Sequence, residues 1–372
     1  MRWAWVFLAV AGLVWLSFIY HAGNWPILPL DISVYWAGGL QALSDDAGAV
    51  YDADALDRYL GELHGVTVDN NLRFPYPPFV LLLLWPLGFL PFEAVWPVFL
   101  LPGMIAFFLI ARKFTDDVTA WGMTFAFGGP IHSIQLGQNG FYTATLLAGG
   151  LLALKRSKLL AGIIIGLLAF KPHLAAVGFL ALLHWREWKA LGWAIATVMG
   201  LVAFSALIFG PSIWLDFFVG NASFVDEIST TRRASLLENF QQSSLSLTVG
   251  WIGMSGGLIA QAAVAIAALA LCARIRNHDL AIAGVLTTTL LVAPYSFVYD
   301  STMLVLACAI LINHDRQLSL GLALLIGLTG LWFLTLVTIV PFVAATILLL
   351  AWMKDQNAAQ PANASPSLGN SK

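Results

Sequence analysis

Asp31 heads the segment Asp31-Ile32-Ser33-Val34-Tyr35-Trp36-Ala37-Gly38-Gly39-Leu40-Gln41-Ala42-Leu43, which follows an apolar run over 3–20. A carboxylate held near a membrane, where the dielectric is low, has its pKa raised toward neutrality, which suits it to take a proton from a hydroxyl. The same residue could simply cap a helix. Val34, Leu40 and Leu43, with Tyr35 and Trp36, predict an amphipathic helix lying at the interface.

Other polar residues recur at the edges of apolar runs. Lys171-Pro172-His173 separates two apolar stretches. An ammonium there is costly in lipid and suits an anionic phosphate, although a snorkelling Lys in a turn reads the same way. Arg232-Arg233 lies in a region otherwise poor in basic residues and could meet a lipid-carrier phosphate or stand as an exposed charge pair. Asn239, Gln241, Gln242 and Ser243 follow it as polar candidates. Tyr76, in Arg73-Phe74-Pro75-Tyr76-Pro77-Pro78-Phe79, could stack on a sugar or a head group, while the prolines set an extended entry into the next run. Gln138 and Asn139 could bind sugar hydroxyls or close a turn. Tyr299 and Asp300 close Pro294-Tyr295-Ser296-Phe297-Val298-Tyr299-Asp300, where a carboxylate favours a helix start and could equally serve a site.

Several chemistries lack their signatures. There is no GxxxxGK[ST] and no GxGxxG after a strand, so no nucleotide site is expected. No HExxH or Cys/His cluster suggests a metal, and Asp45-Asp46 reads as a solvated pair. Cys272 and Cys308 sit in apolar stretches and read as small core or lipid-facing residues. No cofactor is expected. Near-balanced charge gives no reason to expect nucleic acid.

The elements that must position these residues are membrane helices. Of the chain's residues, 59% are hydrophobic and 10% charged, against about 25% charged in soluble domains, so lipid must cover part of the surface. The expected class is an all-α polytopic membrane protein. Spans are predicted near 3–20, 92–111, 118–136, 140–154, 189–209, 255–273, 280–294, 301–313, 318–336 and 339–353. The run 3–20 reads as a span or uncleaved signal anchor rather than a cleaved signal peptide. Pro78 to Leu90 and Leu159 to Phe170 are too short to cross a ~30 Å core alone. The total is therefore about 10–12 transmembrane helices.

Arg112/Lys113, Lys155/Arg156/Lys158, Arg186/Lys189, Arg274/Arg276, Arg316 and Lys354 lie in short connections, which the positive-inside rule places in the cytoplasm. The acid-rich, base-poor stretch 21–76 then forms a first outer loop and 210–250 a second. The membrane domain is expected over 1–353, with 354–372 as a disordered cytoplasmic tail.

Asp31 before Val34-Tyr35-Trp36-Ala37, then Val50-Tyr51-Asp52, Phe74-Pro75-Tyr76-Pro77-Pro78, Gly137-Gln138-Asn139, Lys171-Pro172 and Pro294-Tyr295-Ser296 come in an order that resembles glycosyltransferase family 87. That family includes polyprenol-phosphate-mannose-dependent α-mannosyltransferases, and the resemblance runs over about 25–350. It implies a GT-C architecture: many spans, a long outer loop after the first, and a lipid-phosphate sugar donor. It further implies a hexosyltransferase acting at the outer face of the cytoplasmic (inner) membrane, with inversion, on a glycolipid or glycan acceptor. Asp31 would take the acceptor proton; Lys171, with Arg232 or Arg233, would hold the donor phosphate. Tyr35, Tyr76, Gln138, Asn139, His173, Tyr299 and Asp300 complete the candidate substrate-binding set. The mannosyltransferases of this resemblance carry histidines after the Pro-x-Ser-aromatic motif, where this chain has Val298, Tyr299 and Asp300. A polyprenyl-lipid or sugar transporter, and a non-catalytic envelope subunit, remain the alternatives. The clustering of ionisable residues in outer loops speaks against the transporter.

Overall fold

The structure, a computed structural model, describes residues 30–64, 73–222, 254–315 and 340–359. The expected spans at 3–20 and 318–336, the Arg232-Arg233 pair and the end of the chain from 360 lie outside the described residues. Among the described residues every regular element is helical. Short helices α1 (Leu30–Gln41) and α2 (Ala53–His64) precede a run of single turns from Pro78 to Phe89. Then follow α3 (Phe92–Ala111), α4 (Asp117–Ala126), α5 (Gly128–Leu136), α6 (Gly140–Ala153), α7 (Lys158–Leu167), α8 (Pro172–His184) and α9 (Trp188–Phe209). After a helical segment over 213–222 come α10 (Met254–Cys272), α11 (His278–Val292), α12 (Thr302–His314) and α13 (Val340–Ala359).

Two of these helices, α3 and α9, are long and apolar enough to cross a membrane, with mean hydropathies of 2.2 and 2.1. Only 11% of the apolar window of α9 is buried. A core helix of a soluble protein would be covered; here Met199, Leu207 and Ile208 face outward at 61%, 78% and 55% exposure. The remaining apolar helices are shorter. Helix α12 is the opposite case, with every side chain from Thr302 to Leu311 buried, as expected of a helix that is apolar all round and packed at the centre.

Sequence and structure differ at three places. The expected span 118–136 is two helices, parted at Phe127, whose backbone is extended. Pro130 has no N–H to bond back to residue 126, so a helix cannot run through and instead restarts with the proline in its first turn. Helix α1 is not laid on a surface. Ile32, Val34, Tyr35 and Ala37 are all buried, and Gly39 meets the backbone of Leu84 and Gly88 so closely that a Cβ there would lie 2.6 Å from the Leu84 carbonyl oxygen. Helix α13 continues to Ala359, into the stretch read as a loose tail. Pro78 to Phe89, as expected, is too short to be a span.

The basic connections gather at one end of the bundle. Lys155 meets Asp279 at 3.0 Å and Lys158 meets Glu187 at 2.6 Å, and Lys354 pairs with Asp315. The buried Asp355 carboxylate accepts the Arg276 and Asn277 N–H groups at 3.0 and 2.7 Å. From that end α6, α8, α11 and α12 extend 14, 13, 15 and 13 residues, about 20 Å at 1.5 Å per residue. Their far ends carry Asn139, Lys171 and the Val298–Ser301 turn. Helix α9 is pressed against α7 through small residues: a Cβ on Gly162 would collide with the Ala190 carbonyl, and one on Gly166 would lie 2.7 Å from the Ala194 carbonyl oxygen.

Candidate active site

Asp31 sits in the first turn of α1, where the helix dipole favours a negative charge. What brings the rest of the chain to it is Gly137. This residue ends α5 with φ +68, a left-handed conformation that costs other L-residues energy. A Cβ there would lie 2.6 Å from the Ile32 Cβ. The Gly137 turn is thus folded onto the first turn of α1, which brings the Gln138 amide to the Asp31 carboxyl.

Behind Gln138 lies a closed polar network. The Tyr35 hydroxyl donates to Gln138 Oε1 at 2.8 Å, and the Tyr35 and Tyr76 hydroxyls are 2.7 Å apart. Asn139 Nδ2 donates to both, at 2.7 and 2.8 Å. All four residues are buried. Phe99 stacks on Tyr35 with ring centroids 4.7 Å apart, and the Tyr51 hydroxyl donates to the Tyr76 carbonyl at 2.9 Å. Asn139 does not cap α6 with its side chain; its Nδ2 is committed to the tyrosines, and its Oδ1 is buried without a partner.

The second half of the site comes from the other side. Lys171 precedes α8, whose first residue is Pro172. Its ammonium meets Asp300 Oδ1 at 2.7 Å and stands 4.7 Å from the centre of the Tyr299 ring. Asp300 Oδ2 accepts the Phe297 N–H at 2.9 Å, which closes the Val298–Ser301 turn. Two glycines bring this turn to Asn139. A Cβ on Gly140 would collide with the Tyr299 carbonyl, and one on Gly129 with the Thr302 N–H. Tyr76, Phe170, Lys171, Pro172, His173, Tyr295, Phe297, Tyr299, Asp300 and Pro75 line a narrow cleft of about 40 Å³. The His173 and Tyr295 rings pack with centroids 4.2 Å apart, tilted by 35°.

The two halves share one electrostatic environment. Asp31 acts on Lys171, Tyr35, Tyr76 and Tyr299, and Asp300 acts on Lys171, Tyr76 and Tyr299. Asp31 retains some exposed surface, yet protein surrounds its carboxyl. That burial pushes its pKa up from 3.8 to about 6, against the opposing pull of the Gln138 hydrogen bond and the Lys171 charge. Such a group is ionised at neutral pH but is a far better proton acceptor than an exposed aspartate. Among the described acids of the stretch 21–76, Asp46, Asp52 and Asp54 are exposed, at the rim of an open hollow.

Nine of the expected residues therefore come together: Asp31, Tyr35, Tyr76, Gln138, Asn139, Lys171, His173, Tyr299 and Asp300. Tyr35, Tyr76, Gln138 and Asn139 bond chiefly to one another. Sequence reasoning missed Phe99 and the aromatic lining from Phe170, Tyr295 and Phe297. It also missed the direct pairing of Lys171 with Asp300, since 129 positions separate them and neither carries a signal naming the other.

The model of glycosyltransferase family 87 matches residues 74–294, well over half of the chain. That range holds Tyr76, Gln138, Asn139, Lys171 and His173, whereas Asp31, Tyr35, Tyr299 and Asp300 lie outside it. The chain is 26% identical over 235 residues to the polyprenol-phosphate-mannose-dependent alpha-(1-2)-phosphatidylinositol pentamannoside mannosyltransferase of Mycolicibacterium smegmatis (strain ATCC 700084 / mc(2)155), a match that covers 60% of this chain and 53% of that protein. The chain thus aligns with about half the length of that relative. No solved structure matches it.

Proposed function

Because the chain belongs to glycosyltransferase family 87, we propose that it is a multi-pass membrane hexosyltransferase of GT-C type. It moves a sugar, mannose first among the candidates, from a polyprenyl-phosphate donor to a hydroxyl of a glycolipid or glycan acceptor. The observation that carries this reading is the meeting of two opposite chemistries, the half-buried Asp31 and the buried Lys171–Asp300 pair, across Tyr76 and Tyr299.

The proposed step is a single displacement. The Asp31 carboxylate takes the proton of the acceptor hydroxyl as its oxygen attacks the anomeric carbon. The bond from that carbon to the phosphate oxygen breaks on the opposite face, and configuration inverts. The departing polyprenyl phosphate carries the electron pair and is held by Lys171. An ammonium has three N–H donors. Asp300 takes one and the Tyr299 face lies over the group, which leaves a donor for a phosphate oxygen. General base catalysis of this kind contributes about 10²–10⁴ in rate. Arg232 and Arg233, outside the described residues, remain further candidates for the phosphate.

The charge distribution of the bundle supports the proposed orientation. Its basic end holds Lys155, Lys158 and Lys354 in ion pairs, as suits the cytoplasmic face, and the site lies at the other end of the same helices. The outward apolar surfaces of α3 and α9 support contact with lipid. A lipid-linked donor keeps to the bilayer and presents its sugar at the outer face.

The test is a transfer assay on the full chain in nanodiscs, with a panel of polyprenyl-phosphate sugars as donors, octyl α-mannoside as acceptor, and mass spectrometry of products. Glycosylated acceptor from one donor supports the reading. Movement of a polyprenyl lipid across liposomes with no product from any donor would support a transporter instead.

A further inference from the structure

With Asn139 Nδ2 facing the two tyrosines, the protons of the network behind Asp31 can be followed one by one. Asn139 Nδ2 spends its two hydrogens on the Tyr35 and Tyr76 oxygens. Tyr35 has a single proton and directs it to Gln138 Oε1. Tyr76 must therefore be the donor in the 2.7 Å contact between the two hydroxyls. Gln138 Oε1 also receives the Asn139 N–H at 3.3 Å. With its oxygen facing these donors, the amide of Gln138 can turn only its NH₂ toward Asp31. The donor whose direction is fixed is the Asn139 backbone N–H, and it anchors the oxygen end of the Gln138 amide.

We infer that Gln138 is the positioning residue of Asp31, locked in its donating orientation by the Tyr35 hydroxyl and the Asn139 N–H. The inference rests on the reading of Asp31 as the base. Gln138 holds one carboxylate oxygen, which fixes the aim of the other, and it stabilises the ionised form against the surrounding protein. The other groups acting on Asp31 are Lys171, Tyr35, Tyr76 and Tyr299. Of these only Lys171 also stabilises the anion. A tyrosine lock on the amide is economical, because a flipped Gln138 would face Asp31 with a carbonyl oxygen and leave two donors unsatisfied.

Two measurements on the full chain test this. The first needs no activity. The gain in melting temperature from Asp31→Asn should be small near pH 4 and nearly complete by about pH 6, with a midpoint of about 5. Combined with Gln138→Leu, that midpoint should move up by half a pH unit or more. The second is the pH–rate profile with a polyprenyl-phosphate mannose donor and octyl α-mannoside. Gln138→Leu should lower kcat at least tenfold and move the acid limb up, with the donor KM within twofold of wild type. Tyr35→Phe, a gentler change, should shift both in the same direction by less. Midpoints and acid limbs unmoved in both folded variants would overturn the inference, as would a change confined to KM. If the wild-type protein transfers nothing, the proposed reaction fails while the melting series still decides the role of Gln138.

Discussion

The Lys171 ammonium and the Asp300 carboxylate meet at 2.7 Å with side chains 6% and 1% exposed, although 129 positions separate them. Burying two charges costs several kcal/mol each, and their mutual attraction offsets that only while both are present. Asp300→Ala should therefore destabilise by about 3–5 kcal/mol, read as a loss of melting temperature. The paired change Lys171→Met with Asp300→Leu should recover most of that stability and no transfer activity. Recovery of activity by the apolar pair would show that Lys171 does not hold the phosphate.

Ion pairs at the basic end should behave differently. Lys155 and Asp279 are 52% and 35% exposed and are screened by solvent. Lys155→Ala should change stability by at most about 1 kcal/mol and leave transfer unchanged. A loss as large as that of Asp300→Ala would mean that this end is not at a watery surface.

The raised pKa of Asp31 sets two trends with pH. Transfer should fall as pH drops through about 6, because the base must be ionised. Stability should move the other way. A carboxyl whose pKa rises from 3.8 to about 6 on folding favours the fold fully below 3.8 and loses that contribution as pH rises through 6. The difference amounts to on the order of 3 kcal/mol. Thermal melts of the wild type and Asp31→Asn between pH 4 and 8 should separate in favour of the variant as pH rises from about 4 to about 6, and keep a constant gap above that. Parallel melts would contradict the burial of this carboxyl.

Gly137 tests how the site is assembled. Gly137→Ala places a methyl against Ile32 in a backbone with φ +68. The left-handed conformation alone costs about 1–2 kcal/mol for a residue with a Cβ. The contact adds to it and should push Gln138 away from Asp31. Melting temperature and kcat should both fall, with the fall in kcat larger than that of Gly166→Ala, which loosens the α7–α9 contact far from the base. Equal losses in the two variants would argue that both act through stability alone.

Much of the bundle was legible because apolar length reports helices directly: 92–111, 140–154 and 189–209 were placed within a residue or two of α3, α6 and α9. The break at Phe127 was written in Gly128-Gly129-Pro130, but the apolar run across it masked the missing N–H. The depth of α1 was harder. Its apolar residues suggest one wet face, whereas Gly39 packs on the backbone of Leu84 and Gly88, and Gly38 on the side chains of Phe74, Leu81 and Leu84. At the site, residue types single out Asp31, Lys171, Gln138 and Asn139, which the fold brings near one another. Their division of labour was not legible. Which polar groups bond one another is decided by a glycine turn at 137 and close approaches at 129 and 140, and neither is visible in spacing.

The central claim is that Asp31 is the base, and one measurement addresses it directly. Asp31→Asn in the full chain should keep the protein folded and lower the rate of sugar transfer from a polyprenyl-phosphate donor by about 10²–10⁴ at pH 7.5. Transfer by that variant at the wild-type rate would contradict the account.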